Sequence, residues 1–293
     1  MLANDAIATL AAHPDYRILR RVDHTDLEVA DMSEAAYRLG LVVDIETTGT
    51  NHATDQIIEL CARFVWATYE GEIVAVGPPR SWLEDPCVPL TPDIVRLTGL
   101  TDADLAGQRI DDAAVNDMMI RADFIIAHNA SFDRPFIERR FPSRAGLAWC
   151  CSCHDVDWPA LGFDGRGLGW LLAQCGRFHD GHRAEADVDA TIALLRHTLA
   201  TGRTVWSSML EKAERPGWQI SAVGASFDVK DELKNRNYRW DAKARVWQCE
   251  VSDEDVENER GWLAMAVYRP EFRPREPGPT VSSVTWHTRY SSS

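Results

Sequence analysis

The stretch Leu41-Val42-Val43-Asp44-Ile45-Glu46-Thr47-Thr48-Gly49 decides how this chain folds. Leu41 to Ile45 is an apolar run of the kind found in strands buried on both faces, and Asp44 interrupts it near its end. Side chains alternate along a strand, so Asp44 and Glu46 point the same way. Two carboxylates crowded on one face at neutral pH repel unless a cation sits between them, and an all-oxygen donor set suits Mg2+ or Mn2+. Solvated acids at an ordinary strand end are the simpler alternative. The Thr47-Thr48-Gly49 that follows favours a site, because a glycine turn lets backbone approach a ligand closely.

Two further stretches pair an ordered element with polar residues. Phe124-Ile125-Ile126-Ala127 reads as a strand and gives way abruptly to His128-Asn129-Ala130-Ser131, the start of a helix near 131 to 140. Ser131 or Asn129 can cap that helix, and Asp133 in its first turn complements the dipole, so Asp133 has a structural explanation without any chemistry. Phe132, Phe136 and Ile137 fall at helical spacing as core residues, while Phe132 can also touch a nucleobase. The third stretch, His182-Arg183-Ala184-Glu185-Ala186-Asp187, follows the loop Phe178-His179-Asp180-Gly181 and leads into a helix near 184 to 200. Val188, Thr191 or Ile192, and Leu195 mark the buried side of that helix. Residues five apart on one helix face apart, so His182 belongs to the loop and Asp187 to the helix. Both can then reach one cleft. Glu185 and Asp189 are rival carboxylates, and spacing does not choose among the three. A lone histidine at a helix start is more often structural than catalytic.

In order and local context, Asp44, Glu46, Asp133, His182 and Asp187 resemble the five-residue set of the DEDDh family of 3′-to-5′ exonucleases, the superfamily of RNase T and of the proofreading epsilon subunit of bacterial replicative polymerase. The similarity runs from about Leu41 to Leu199 and takes in Arg96-Leu97-Thr98-Gly99-Leu100-Thr101, which looks like the family's segment between the first two motifs. The resemblance implies an RNase H-like α/β fold, a mixed sheet flanked by helices. It also implies hydrolysis of phosphodiester bonds from the 3′ end of DNA, single-stranded DNA favoured, with release of nucleoside 5′-monophosphates. On the same ground Asp44, Glu46 and Asp187 hold one Mg2+ or Mn2+, Asp44 bridges to a second ion supported by Asp133, and neutral His182 is the general base toward water. Thr47 and Thr48 would contact the terminal sugar. Asn129 and Phe132 would contact the penultimate region, and each also has an ordinary capping or core explanation. A 3′-to-5′ exoribonuclease and a catalytically silent nucleic-acid-binding or polymerase-associated subunit are the alternatives. A polymerase or repair partner and a dimer are compatible with the family, and no sequence feature demands either.

With 293 residues, 45% of them hydrophobic, the chain can bury one good core and has room for a second small unit. No run approaches the length of a membrane span and no export signal is visible, so a cytoplasmic location is the default expectation. A formal net charge of −14 argues against nucleic-acid binding through bulk electrostatics. It does not exclude a nuclease, because bound cations reverse the local potential and a few basic residues, with Arg134, Arg139 and Arg140 as candidates, can guide one strand end. Seven cysteines make an odd number, and Cys150, Cys151 and Cys153 cluster beside His154. Without paired CxxC spacing, small buried strand residues explain that cluster better than zinc.

The coarse pattern gives strands near 41 to 46, 57 to 67, 72 to 83 and 123 to 127, and helices near 111 to 121, 131 to 140, 168 to 175 and 184 to 200. Gly71 suits a hairpin turn, so the sheet is expected to be mixed. Residues 1–38 read as an extension of one or two helices packed on the core, and 39–215 as the exonuclease domain. Arg215-Pro216-Gly217 breaks the chain, and 218–268 reads as a small α+β module with helices at 227–235 and 252–268 around a hairpin at 238–250. Lys230 to Asp241 with Val246-Trp247 also looks like a small module found attached to DNA-processing enzymes. In it Tyr238, Trp240 and Trp247 lie among Lys234, Arg236, Arg239, Lys243 and Arg245, a mixture that suits stacking on bases or, for at least two of the aromatics, a small module's own core. Proline, serine and charge dominate 269–293, which reads as a flexible tail.

Overall fold

The computed structural model describes residues 3–23, 37–242 and 244–291. They divide into two compact units, the first running through Ala213 and resuming at Tyr290, the second spanning Glu214–Arg289. In chain order the first holds α1 (Ala3–Ala11), β1 (Arg20–Arg21), β2 (Tyr37–Thr47), β3 (Ile57–Thr68), β4 (Ile73–Val76), β5 (Arg80–Leu83), α2 (Pro92–Thr98), α3 (Asp102–Leu105) and α4 (Asp112–Arg121). There follow β6 (Phe124–Ala127), α5 (Ala130–Arg140), β7 (Trp149–Cys151), α6 (Leu168–Gln174), β8 (Arg177–Phe178), α7 (Ala184–Leu195) and α8 (Val205–Glu214).

The main sheet has the order β4-β3-β2-β6-β7, with β5 also paired to β3. It is mixed, because β2 runs antiparallel to β3 and parallel to β6, and β6 parallel to β7. The β3–β4 hairpin turns at Gly71, whose φ of +91° and close approach to Ser207, where an added Cβ would lie 2.5 Å from the Ser207 Cβ, leave no room for a side chain. Central position explains the apolar run of β2: Leu41, Val43 and Ile45 enter a core with Ile125, Met118, Phe136 and Trp149. The intervening Asp44 and Glu46 face the side crossed by α7 and remain half-buried. The strand expected over 72–83 is two strands, because Gly77-Pro78-Pro79 falls inside it and proline cannot donate to a ladder.

The second unit contains β9 (Gly217–Ser221), α9 (Lys230–Asn235), β10 (Arg239–Asp241), β11 (Val246–Ser252), α10 (Val256–Ala266) and β12 (Thr280–Val284). Its sheet has the order β10-β11-β9-β12, all antiparallel. Ile220, Leu233, Tyr238 and Leu263 form its own core, with Trp247 packed against it.

Two expectations at the chain ends are corrected. Residues 269–293 are not a flexible tail over their described part: Pro270–Phe272 form a 3-10 turn and β12 pairs with β9 through the β-branched Thr280 and Val281. At the other end α1 exists, but its Ile7 and Leu10 stay 51% and 42% exposed, so these apolar residues of the expected extension are not packed on the core. Beyond it β1 pairs with β8, and the part of the extension at 24–36 lies outside the described residues.

Candidate active site

Three of the acids singled out in the sequence converge. One carboxylate oxygen each from Asp44, Glu46 and Asp187 lies within 4.8 Å of the others. Strand alternation puts the first two on one face of β2, and α7 crosses that face to supply the third. The structure also separates Asp187 from its rivals. Asp189 is buried in an ion pair with Arg63 of β3, and Glu185 accepts a hydrogen bond from the Ser81 hydroxyl at 2.6 Å.

Asp133, in the first turn of α5, is only 2% exposed, and its Oδ1 has no hydrogen-bond partner. Its charge is felt at Asp44, and the charges of Glu46 and Asp187 are felt at Asp133. Burial, then repulsion from Asp133, Asp187, Glu46 and Glu59, holds the Asp44 carboxyl well above the usual carboxylate range. Burial is likewise the main cause that raises Asp133, partly offset by backbone N–H groups. Glu46 is pushed up to about 7 by burial and by Asp187 and Glu59, with Arg183 opposing. A cluster of oxygen donors whose members resist ionising together, one with an unpartnered buried oxygen, fits hard divalent cations. Cys150, Cys151 and Cys153 are buried, as small strand and turn residues.

His182 does lie in the loop before α7, with a left-handed φ of +69°, but it meets Asp187 through its main-chain N–H at 2.8 Å, and its side chain is exposed. The ring on Asp187 belongs to His179, whose Nε2 lies 2.9 Å from Asp187 Oδ1. The Arg183 N–H also donates to Asp187 Oδ2. Asp187 thus closes the loop from His179 to Arg183 into one turn.

Two more residues escaped the sequence reading. Glu59 stands opposite Glu46 in the β2–β3 register and is buried. It accepts two hydrogen bonds from the Arg183 guanidinium, at 3.1 and 3.0 Å, and one from the Ala184 N–H. Bidentate pairing of this kind fixes orientation as well as charge. The pair borders a cavity of about 500 Å³ lined also by Trp82 and Glu185. The only available signal was the acid in Ile57-Ile58-Glu59-Leu60, an interruption of an apolar run like that at Asp44.

The expected substrate-contact residues lie around the same end of the sheet with other partners as well. The Thr47 hydroxyl donates to the Gly49 carbonyl, and Thr48 Oγ1 accepts from the Gln56 N–H. Gly49 is needed for a contact inside the loop, since a Cβ there would lie 2.4 Å from Asp55 Oδ2. Asn129 is at the N-cap of α5 in a left-handed conformation, but its side chain does not cap; it accepts from the Ser131 hydroxyl. Phe132 is half-buried against Phe136, with ring centroids 5.2 Å apart.

An exonuclease family model, that of RNase T, matches residues 41–195, more than half of the 293-residue chain. This chain belongs to the exonuclease family. It falls in the DEDD-type 3′-5′ exonuclease superfamily, as the five-residue resemblance implied. Among curated relatives of this chain is the PolC-type DNA polymerase III of Halalkalibacterium halodurans, 39% identical over 103 residues, which are 34% of this chain and 7% of that protein. The PolC-type polymerase of Lacticaseibacillus paracasei is 28% identical over 184 residues, 57% of this chain and 12% of that one. The chain therefore spans a small fraction of the curated relatives it matches. Among solved structures, exonuclease I has a similar fold, with a TM-score of 0.50 at 17% identity over 85% of this chain and 63% of that one. No helix among the described residues is long and apolar enough to cross a membrane.

Proposed function

We propose that this chain is a divalent-metal-dependent 3′-to-5′ exonuclease that removes nucleoside 5′-monophosphates from the 3′ end of DNA, preferably single-stranded. The observation that carries this reading is the convergence of Asp44, Glu46 and Asp187 within 4.8 Å, with the unpartnered oxygen of Asp133 beside them. Asp44, Glu46 and Asp187 would hold one Mg2+ or Mn2+, and Asp44 with Asp133 a second. When bound, such ions activate a water and offset the charge that develops on the leaving 3′ oxygen. The protein's own part is to orient and to move a proton. Asp187 ties down the His182 main chain, which leaves the His182 imidazole free at the loop surface to accept the water's proton on a ring nitrogen. Thr47, Thr48, Asn129 and Phe132 would line the path of the terminal nucleotides.

The choice of DNA is supported by relatives that are DNA polymerases and hold a segment similar to this chain. A polymerase or repair partner for this chain follows as part of the same proposal. Digestion of 5′-labelled DNA and RNA oligonucleotides in Mg2+ or Mn2+ tests it. Stepwise shortening of DNA is expected. Preference for RNA would move the substrate class, and no cleavage of either would leave only a binding role.

A further inference from the structure

The aromatic and basic residues of the second unit, unused by the proposed hydrolysis, form a row. Phe227 is 75% exposed, and Lys230 Nζ lies 4.0 Å over its ring. Lys230 and Lys234 are four residues apart on α9 and so share one helix face. Lys234 Nζ lies 5.9 Å over the Trp247 ring, and that ring is 5.5 Å from Trp240, its cross-strand partner. From Phe227 to Trp240 the row thus holds two lysines between an exposed phenylalanine and a pair of touching tryptophans. Of the aromatics in the basic segment, the core takes Tyr238 and part of Trp247, whereas Trp240 stays 50% exposed. Half of a tryptophan left in water is burial the fold does not use.

Charge decides what this row suits. The chain carries a net −14, yet from Lys230 to Arg245 six basic residues stand against three acids. Arg236 is engaged by Glu259 at 3.0 Å. Asp231 Oδ1 is 3.9 Å from Lys234 Nζ, but both side chains are exposed, and an exposed pair is weak enough for a phosphate to replace. Exposed rings at both ends of the row with two ammonium groups between them suit a single strand, whose bases stack on the rings and whose phosphates take the cations.

We propose that the Phe227–Lys230–Lys234–Trp247–Trp240 row is a docking face for single-stranded nucleic acid, with bases stacked on Trp240 and Phe227 and phosphates held by Lys230 and Lys234. In assigning the bound strand as the nuclease's own substrate, this rests on the exonuclease reading. A strand held at two places is bound more tightly than at either alone, so the row favours long substrates.

The test uses the full chain in EDTA, with fluorescence anisotropy of a long oligothymidylate and of a tetranucleotide. Trp240→Ala and, separately, Lys234→Glu are each expected to weaken binding of the long strand about tenfold. Neither should alter binding of the tetranucleotide, or its cleavage when Mg2+ is restored. Lys234→Glu alters an exposed side chain, so its result stands even if Trp240→Ala unfolds the module. Unchanged affinity of Lys234→Glu for the long strand overturns the proposal, as does displacement of that strand by polyglutamate as readily as by unlabelled oligothymidylate. Wild-type protein that binds the long strand in the row-dependent manner but cleaves nothing in Mg2+ or Mn2+ would sink the nuclease reading alone.

Discussion

At the residue scale, the acid cluster is costly to the fold without cations, and this can be measured. Glu46 ionises near 7 in the folded protein against an ordinary 4.5. Between those values the unfolded chain has released a proton that the folded one keeps, so stability of the metal-free protein falls as pH rises from about 4.5 to about 7. Asp44 and Asp133 are shifted in the same direction. Thermal melts in EDTA should show Tm decreasing over that range, and Glu46→Gln should flatten the slope; an equal slope in the variant would count against the assignment. Asp44→Asn is expected to abolish cleavage while raising the Tm of the metal-free protein at pH 8. His182→Ala should lower kcat by about 10²- to 10⁴-fold with Mg2+ binding by calorimetry retained. His179→Ala acts through Asp187 and should weaken Mg2+ binding as well, a split that distinguishes the two histidines. The β2 acids were legible because strand alternation is a period of two and needs no tertiary knowledge. Asp187 was not separable from Glu185 and Asp189 by spacing, since what distinguishes them is Ser81 and Arg63, more than a hundred residues away.

At the element scale, the start of α7 is anchored to the sheet by one buried carboxylate. Glu59 accepts from both the Arg183 side chain and the Ala184 N–H, and it faces the strand that carries Asp44 and Glu46. Glu59→Gln cannot accept all three bonds with the same charge, and we expect a stability loss of about 1–3 kcal/mol. Its effect on turnover should be a fall in kcat with little change in the affinity for a short oligonucleotide; wild-type kcat would show that the anchor does not position the loop. Most elements of the sheet were readable from apolar runs and their punctuation. Two missed strands of the second unit share a physical reason. Strand β9 is short and polar at alternate positions, and β12 sits in a proline- and serine-rich segment whose pairing depends on β9. The alternation in β9 covers only five residues beside the Arg215-Pro216-Gly217 break, and β12 takes its place from its partner.

For the whole molecule, the second unit is an insertion: the chain leaves the first unit after Ala213 and re-enters it at Tyr290. The re-entry is specific. The Tyr290 hydroxyl donates to buried Asp155 at 2.7 Å, and the Ser291 hydroxyl to Glu138 at 2.6 Å. Tyr290→Phe should cost the first unit about 1–2 kcal/mol, read as a lower urea midpoint with an unchanged m-value. Composition made this return invisible, because a sequence rich in Ser and Pro looks solvated whether or not its last aromatic is held. The same feature governs how the molecule responds to cutting. A protease that nicks the 214–289 segment severs one covalent path but leaves each fragment fastened by its own roots, so the pieces should co-elute until denatured. A stop codon placed at the second unit's start, by contrast, strips the clasp from its neighbour too, and only internal excision with a short bridge isolates what the inserted body contributes.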